Sequence, residues 1–289
     1  MQHKSIKKAV LPIAGLGTRF LPLSKVFPKE LWPLLNRPIL DYIVQEFKES
    51  GINEIIFVNS PGKKIVENYF KADAKIEKIL EKRNKKDLLT ELKKSQASFR
   101  DLKFSSVIQK KPLGDGHAIL QAKDKIGKNP FMVSFGDDIV ISKTPCLLQM
   151  MKVFAEYGYS HPVVAMKKVA PEKVSSYGAF KIKKVAPKIY QIKEIVEKPS
   201  AGKAPSNFVA VGKYILTPVI FDYLQKSKTF KGEIILANAL EQMIKEGIMI
   251  YGYEFEGDWL ECGNIQGWLE SNLFLAKRHP DFKNINIRR

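Results

Sequence analysis

Two glycines and two cationic side chains near the N-terminus are suited to binding phosphate. Gly15 and Gly17 let backbone N–H groups approach an oxyanion without an intervening Cβ, and Arg19 and Lys29 carry charge for phosphate oxygens. The spacing is neither that of a Walker loop nor that of the dinucleotide fingerprint, because Phe20 stands where a third glycine would be required. These residues predict a site for a nucleoside triphosphate tail, although a glycine pair by itself is equally typical of a turn between a strand and a helix.

Two adjacent carboxylates, Asp137 and Asp138, follow an apolar segment at 130–135. Open α/β sheets bind their ligands at the carboxyl ends of strands, where such a pair would emerge. Mg²⁺ typically takes one or two carboxylates together with phosphate oxygens and water. The pair therefore predicts a magnesium site, and the alternative is a pair of ordinary turn residues.

A sheet has to position these residues, and the sequence predicts one. Short apolar segments rich in branched and aromatic residues predict buried parallel strands at 9–14, 54–58 and 130–135. Apolar residues at helical spacing predict helices at 38–50, 65–92, 116–125, 220–225, 234–246 and 268–279. Further strands are expected at 162–166, 178–185, 189–196 and 209–216. The chain is therefore predicted to be a mixed α/β protein.

Composition narrows the class of protein. With 289 residues, of which 45% are hydrophobic, the chain can bury a sizeable core, which excludes a disordered or collagenous protein. A net charge of +18 favours anionic partners. Cys146 and Cys262 show no metal-ligand or disulfide spacing, and no uncharged apolar stretch approaches the roughly 20 residues that span a bilayer. We expect a cytoplasmic protein that does not bind membranes.

The segments GLGTRFLP at 15–22 and PKE at 28–30 resemble the bacterial UTP:glucose-1-phosphate uridylyltransferases, within the sugar-phosphate nucleotidyltransferases. The resemblance runs nearly end to end. It implies a Rossmann-like three-layer α/β nucleotidyltransferase fold with a central mixed, mostly parallel sheet. It also implies a single domain over 1–289, with a nucleotide-binding half at 1–140, a sugar-binding half at 141–265, and a C-terminal helix and tail at 266–289.

The resemblance also implies which residues contact the nucleotide. Ala14, with Gly15 and Gly17, is expected to line the triphosphate site. The segment at 109–118 is similar to the family's nucleobase loop, in which Gln109 and Gly114 would pair with the uracil edge. A glutamine amide can match both donors and acceptors of a pyrimidine, and glycine permits close backbone approach. His117 is expected to begin the following helix as a packing or capping residue.

Sugar contacts follow from the same resemblance. In the family's EKP segment, here Glu197-Lys198-Pro199, the glutamate meets sugar hydroxyls and the lysine meets the sugar phosphate. Gly178 would contact glucose through its amide, and Glu233 would bind glucose hydroxyls. Asp138 is expected to contact substrate beside the metal.

The metal ligands implied by the resemblance are Asp137 and Glu261. Glu261 stands where the family has aspartate, so its carboxylate lies one methylene farther out, and Mg²⁺ tolerates little deviation from octahedral geometry at about 2.0–2.1 Å. Asn36 and Asn238 also replace the family's usual aspartates. The longer side chain at position 261 puts metal affinity and turnover in question, whereas Asn36 and Asn238 are interpreted as structural positions whose amides replace acids as hydrogen-bond acceptors.

The predicted reaction converts UTP and glucose 1-phosphate into UDP-glucose and pyrophosphate by Mg²⁺-assisted in-line attack on the α-phosphorus, with Arg19, Lys29, Asp137 and Lys198 as the catalytic residues. The resemblance also implies a homo-oligomer. Two alternatives remain open at this point: a catalytically weak regulatory paralog that binds nucleotide sugar, and a glucose-1-phosphate thymidylyltransferase that uses dTTP. A nucleic-acid binder would account for the charge, but no recognition module is present, and we expect no nucleic-acid partner.

Overall fold

A nine-stranded sheet forms the centre of the computed structural model, which describes residues 6–200, 202–230 and 232–282. The strands are β1 (Lys8–Pro12), β2 (Pro33–Leu34), β3 (Arg37–Pro38), β4 (Glu54–Asn59), β5 (Lys103–Ile108), β6 (Phe131–Ser134), β7 (Asp138–Ile141), β8 (Val163–Lys168), β9 (Gly178–Ala186), β10 (Ile189–Glu197), β11 (Phe208–Leu216), β12 (Tyr251–Glu254) and β13 (Asp258–Glu261). The large sheet has the order β5-β4-β1-β6-β11-β8-β12-β10-β9, and β7 with β13 and β2 with β3 form separate two-stranded sheets.

Helices cover this sheet. They are α1 (Ile39–Glu49), α2 (Ile65–Tyr69), α3 (Ala74–Lys82), α4 (Lys86–Ala97), α5 (Asp115–Leu120), α6 (Lys123–Ile126), α7 (Cys146–Glu156), α8 (Ile220–Lys226), α9 (Leu236–Lys245) and α10 (Ile265–Ala276). Within the described ranges, none of them has both the length and the apolar composition needed to cross a membrane.

Two hydrophobic cores lie on opposite faces of the sheet. Along β1, Ala9 and Leu11 belong to one core and Val10 to the other, as expected from the alternation of side chains in a strand. Helices α1 and α7 contribute buried apolar residues to the first core, and α5, α8 and α9 contribute theirs to the second. The predicted three-layer α/β arrangement is thereby confirmed.

The sheet is mixed, as predicted, but it is not mostly parallel, because four of the eight pairings between neighbouring strands are antiparallel. Strands β5, β4, β1 and β6 pair in parallel, and these carry the first half of the chain. Beyond β6 the pairing is antiparallel except between β8 and β12. Because β6 pairs directly with β11, the sheet is continuous across the expected boundary near residue 140. The last part of the expected tail, 283–289, lies outside the described residues.

The predicted strands and most predicted helices are present, but two predicted helices are interrupted. The segment expected to be helical at 116–125 forms α5 and α6, with a turn at 121–122 between them. The continuous helix expected at 65–92 is divided into α2, α3 and the start of α4. Asp73 begins α3 by accepting hydrogen bonds from the backbone N–H groups of Lys75 and Ile76, and Asn84 adopts a left-handed conformation with φ of 53° between α3 and α4. Polar residues that cap a helix or adopt a left-handed turn therefore interrupt the helix, although the segment contains no glycine or proline.

A buried ion pair joins the sheet to α1. Lys213 on β11 is fully buried, and its Nζ lies 2.7 Å from Glu46 Oε2 and 3.2 Å from Ser134 Oγ. The other oxygen of Glu46 accepts a hydrogen bond from the Leu147 N–H at the start of α7. Every charge in this network is compensated, which is the condition under which a buried ion pair is tolerated.

Replacing Lys213 by methionine leaves the Glu46 carboxylate buried without its cation. We expect Lys213→Met to lower the free energy of unfolding by about 3–5 kcal/mol, measured by urea denaturation. The double variant Glu46→Gln, Lys213→Met keeps an acceptor for the Leu147 N–H and should recover most of the loss. Equal destabilisation of the single and double variants would contradict this account.

Candidate active site

Two adjoining cavities of about 690 and 430 Å³ form one cleft at the carboxyl ends of the parallel strands. Pro12, the last residue of β1, and Phe135, just beyond β6, line both cavities. Glu197 and Lys198 at the end of β10 also line both. This is the position where open α/β sheets bind ligands, so the topology places the cleft where the sequence predicted it.

The glycine loop leaves β1 and borders the smaller cavity. Ala14, Gly15 and Gly17 all line it. Gly17 has a φ of 62°, and a Cβ at this position would lie 3.0 Å from the Ser24 Cβ, so both the backbone conformation and the space favour glycine. Lys63 Nζ donates a hydrogen bond to the Gly15 carbonyl at 2.8 Å, which adds a cation to the edge of the loop.

Cations and carboxylates meet in the larger cavity. The guanidinium of Arg19 lies 3.7 Å from Asp137 Oδ2 and 3.9 Å from Glu261 Oε1, and Lys29 Nζ contacts Asp137 Oδ2 directly. Strands β7 and β13 bring these acids together by pairing Asp138 opposite Glu261. Asp137 and Glu261, which are far apart in the sequence, therefore both lie within 4 Å of one cationic group.

The charges of this cluster stabilise one another. Burial opposes ionisation of both Lys29 and Asp137, but their mutual attraction outweighs it, so the pKa of Lys29 is raised and the pKa of Asp137 is lowered. Burial and the neighbouring Asp137 charge raise the pKa of Asp138 to about 7, although Trp259 Nε1 donates a 2.8 Å hydrogen bond to its carboxyl group. Lys29 and Asp137 thus form an ion pair at neutral pH.

The longer side chain of Glu261 is held at both carboxylate oxygens. The Tyr177 hydroxyl donates to Oε2 at 2.6 Å, and Asn264 Nδ2 donates to Oε1 at 3.3 Å. Burial, and then the hydrogen bond itself, raise the pKa of Tyr177, so its hydroxyl stays protonated as a donor. Despite the extra methylene, the carboxylate of Glu261 therefore lies beside Arg19. Asn36 and Asn238, the other two departures, are exposed and line neither cavity.

The residues predicted to contact sugar lie on β9 and β10. Gly178 and Glu197 are paired across these strands, and Glu197 Oε2 lies 3.1 Å from the position that a Cβ on Gly178 would occupy. Burial raises the pKa of Glu197. Lys198 adopts a φ of 46°, and its Nζ lies 3.9 Å from Glu197 Oε1 with two thirds of the side chain exposed (67%). Its ammonium group is therefore available to an anionic ligand.

The predicted base loop borders the smaller cavity. Gln109 follows β5 and is 5% exposed, and its Nε2 donates to the Gly114 carbonyl at 2.9 Å. Nε2 also lies 2.9 Å from His117 Nδ1, so this histidine has a polar partner in addition to its place in α5. Glu233, expected to bind sugar, lies beside Gly114 in this cavity and does not line the larger one.

Sequence reasoning missed three side chains that shape the cleft. Asp115 lines both cavities, and its Oδ1 accepts hydrogen bonds from the Gly116 N–H at 2.6 Å and the Leu236 N–H at 3.0 Å. The hydroxyl of Tyr177 and the indole of Trp259 fix the acids described above. Trp259 could have been found, because it lies two residues before Glu261 and hence on the same face of a strand.

The donor set can hold a divalent metal. Asp137 and Glu261 already share one cationic neighbour, which shows that both carboxylates face a point suited to positive charge. Within the described ranges, no group of three or more His, Cys, Asp and Glu side chains forms a metal site. Two carboxylates completed by substrate oxygens and water fit Mg²⁺ better than a cage made by the protein alone.

Comparison with known proteins gives consistent matches. A family model described as nucleotidyl transferase matches residues 8–278. A Staphylococcus haemolyticus protein named UTP–glucose-1-phosphate uridylyltransferase is 42% identical over 286 residues, covering 99% of this chain and 97% of that protein. A protein of the same name from Staphylococcus epidermidis is 40% identical over 279 residues, covering 96% and 95%.

Solved structures match with similar coverage. A UDP-glucose pyrophosphorylase complexed with UDP-glucose superposes with a TM-score of 0.85 at 36% identity, over 95% of this chain and 100% of that chain. A UTP-bound UGPase from Acinetobacter baumannii superposes with a TM-score of 0.87 at 34% identity, over 96% and 95%.

The base loop yields a prediction about stability. Gly114 has a φ of 96°, and a Cβ there would lie 2.5 Å from the Ile234 carbonyl oxygen. Gly62 has a φ of 82° with no atom within 4 Å of its Cβ position, so Gly62→Ala isolates the backbone cost. We expect Gly62→Ala to cost about 1 kcal/mol and Gly114→Ala at least about 2 kcal/mol more in urea denaturation. Equal losses would mean that the contact with Ile234 does not constrain the loop.

Proposed function

The chain belongs to the nucleotidyl transferase family, and we propose that it is the enzyme that converts UTP and α-D-glucose 1-phosphate into UDP-glucose and pyrophosphate. The named relatives support the reaction, since they match nearly the full length of the chain at 40–42% identity. The observation that carries the proposal is the position of Arg19. Its guanidinium lies within 4 Å of both Asp137 and Glu261, in a cleft that also contains the glycine loop and Lys198.

In the proposed reaction, an oxygen of the sugar phosphate attacks the α-phosphorus of UTP. The new P–O bond forms as the bond from the α-phosphorus to the oxygen bridging it to the β-phosphorus breaks, and pyrophosphate leaves with that electron pair. No covalent enzyme intermediate is required. The work of the protein is to hold two anions in line and to neutralise their charge.

Each cation has a place in that work. The side chain of Arg19 is 60% exposed, so its guanidinium can contact the departing pyrophosphate. Its ion pairs with Asp137 and Glu261 hold it at the cleft. Lys198 supplies charge for the attacking sugar phosphate, as a compact point charge. Lys29 contacts Asp137, so its first role is to hold that carboxylate ionised and in position beside the triphosphate.

We propose that Mg²⁺ is the metal and that Asp137 and Glu261 are the residues that would hold it. When bound, Mg²⁺ supplies positive charge to phosphate oxygens. The contacts from Tyr177 and Asn264 orient Glu261 for this role in place of the aspartate usual in the family. The departure at position 261 therefore does not favour an inactive paralog.

The remaining substrate contacts complete the proposal. Ala14, Gly15 and Gly17 would line the triphosphate, and Gln109 with Gly114 would contact uracil. Gly178, Glu197, Glu233 and Asp138 would contact the sugar and its phosphate. Since Glu197 and Lys198 line both cavities and Glu233 borders the smaller one, glucose would lie where the two cavities meet.

The division into a nucleotide-binding half at 1–140 and a sugar-binding half at 141–265 is part of the proposal. It is supported by the parallel strands and glycine loop in the first half, and by Gly178, Glu197 and Lys198 in the second. We also propose a cytoplasmic location. Cys146 and Cys262 are free and buried, as is usual for proteins of a reducing compartment.

We propose a homo-oligomer in which α10 contacts a second copy of the chain. Ile265, Leu269 and Leu273 recur every four residues on this helix and are 51%, 50% and 38% exposed. Side chains four residues apart lie on one helical face, and contiguous exposed apolar surface marks contact sites.

The reaction is tested by pyrophosphate release from UTP and glucose 1-phosphate. We expect activity that requires Mg²⁺, and a fall in kcat of about 100-fold or more for Asp137→Asn, because a neutral amide would hold the metal poorly and the positive charge that Mg²⁺ would supply to the phosphates would be lost. Asp258→Asn, an exposed acid on β13 outside the cleft, is the control and should retain activity. A preference for dTTP over UTP in direct competition would contradict the proposed substrate.

The oligomer is tested by light scattering coupled to size exclusion. The unaltered chain should elute as a dimer or a larger assembly, and Leu269→Arg should shift it toward the monomer because a charge cannot be buried unpaired in the contact. A monomeric unaltered chain would exclude this proposal without affecting the reaction.

A further inference from the structure

The backbone of the glycine loop can supply hydrogen-bond donors to the smaller cavity. Gly15, Leu16 and Gly17 all line this cavity. Among the described residues, no backbone carbonyl accepts a hydrogen bond from the N–H groups of these three residues. Successive N–H groups of this kind are the groups with which a loop binds an anion. The carbonyl groups of the same peptide units would repel an anion, so the direction in which each unit faces decides what the loop can bind.

Lys63 holds one of these carbonyl groups. Its Nζ donates a hydrogen bond to the Gly15 carbonyl oxygen at 2.8 Å. The donor is charged, and hydrogen bonds from charged donors are about twice as strong as those between neutral groups. Lys63 itself lines neither of the two cavities. The ammonium group therefore contacts the loop and not the space that a ligand would fill.

The planar peptide bond carries the effect of this contact to the next residue. The bond between Gly15 and Leu16 is trans, so the Gly15 carbonyl and the Leu16 N–H point in opposite directions from one rigid plane. A carbonyl that faces Lys63 therefore turns the Leu16 N–H away from Lys63. Because Leu16 lines the smaller cavity and Lys63 does not, we expect this N–H to face the cavity.

Gly15 makes this peptide unit easy to turn over. Apart from its chain neighbours, nothing in the described structure lies within 4 Å of the position that a Cβ on Gly15 would occupy, so space does not require glycine there. What glycine supplies is rotational freedom about its backbone bonds. The same freedom allows the peptide unit to rotate until the carbonyl oxygen, and not the N–H, faces the ligand. The loop therefore needs a contact that fixes one of the two orientations.

The turn that carries Lys63 is held beside the loop by the sheet. Strands β1 and β4 pair in parallel, and the Ile13 N–H extends the pairing by donating to the Val58 carbonyl at 3.0 Å. Both segments therefore leave the sheet at the same edge. At the end of β4, Asn59 Nδ2 donates to Glu67 Oε1 at 2.7 Å, which ties this end of the strand to α2. Lys63 thus reaches the loop from a supported turn, although 48 positions separate the two partners.

We infer that Lys63 is a positioning residue for the triphosphate, which holds the Gly15 carbonyl on the outer side of the loop and thereby directs the Leu16 N–H at a phosphate oxygen. The inference rests on the proposed function, because it takes the ligand of the glycine loop to be the triphosphate of UTP. Lys63 acts through the backbone and touches no substrate. Its hydrogen bond, and not its charge alone, is therefore the property that binding of UTP requires.

The first test measures kcat and both KM values in Lys63→Met. Methionine keeps an unbranched apolar side chain but cannot donate a hydrogen bond. We expect KM for UTP to rise about tenfold, because the peptide unit after Gly15 is no longer held. KM for glucose 1-phosphate and kcat should stay within about threefold, since the contact acts on bound UTP both before and during the reaction. Lys64→Met removes the same charge from the next, exposed position and should leave both KM values unchanged.

A chemical variant separates hydrogen bonding from charge. The cysteine of Lys63→Cys can be alkylated with 2-bromoethylamine, which rebuilds an ammonium group, or with (2-bromoethyl)trimethylammonium, which keeps the charge but carries no N–H. Cys146 and Cys262 are buried, and burial raises the pKa of both thiols, so the thiol at position 63 reacts first. The ammonium form should restore KM for UTP, and the trimethylammonium form should not. Recovery in both forms, or in neither, would overturn the inference.

Calorimetry with UTP distinguishes this inference from the proposed reaction. If the unaltered chain binds UTP but releases no pyrophosphate, the proposed reaction fails, and the dissociation constants of the same variants decide the role of Lys63. If the enzyme releases pyrophosphate and Lys63→Met leaves KM for UTP unchanged, the reaction stands and the role of Lys63 is wrong. An unaltered chain that does not bind UTP would contradict both.

Discussion

The cleft depends on holding two carboxylates, Asp137 and Glu261, beside one cationic group, the Arg19 guanidinium. Negative charges so placed repel, and their separation from water makes each more costly to ionise. The fold meets this cost with direct partners: Lys29 and Arg19 contact the acids as cations, while Tyr177 donates a hydrogen bond to Glu261. In the proposed reaction, an acid cluster stabilised in this way would bind a cation and tolerate phosphates that bring further negative charge.

The scaffold explains why these groups meet at all. Parallel strands bring the glycine loop after β1 and the acids after β6 to one edge of the sheet. The small β7–β13 sheet then carries Glu261 to the same edge from the far end of the chain, by pairing it opposite Asp138. The antiparallel β9–β10 pair adds Gly178 and Glu197. Each functional segment is thus fixed by backbone hydrogen bonds, which leaves side chains free to bind ligands.

Much of the fold could be predicted from local sequence patterns. The contacts between residues that are distant in the sequence could not, because they exist only in the folded chain. Periodicity and turn residues are local signals, so the parallel strands and α1 were predictable, as was the placement of the glycine loop. The break of the 65–92 helix depended on Asp73 and Asn84 acting as a cap and a left-handed turn, which periodicity does not report. The support of Glu261 by Tyr177 joins residues 84 positions apart and exists only once the chain has folded.

The same distinction applies to what a side chain can do for a ligand. A sequence states the full donor and acceptor capacity of each residue, but the folded protein uses part of that capacity internally. Gln109 is the clearest case, since the Gly114 carbonyl accepts one of its amide hydrogens and so fixes which way the amide faces. Lys29 is another, because its charge is committed to Asp137 before any phosphate arrives. Roles assigned from residue types alone therefore overstate the number of donors, acceptors and charges available to a ligand. The choice of ligand follows from the groups that the fold leaves unpaired.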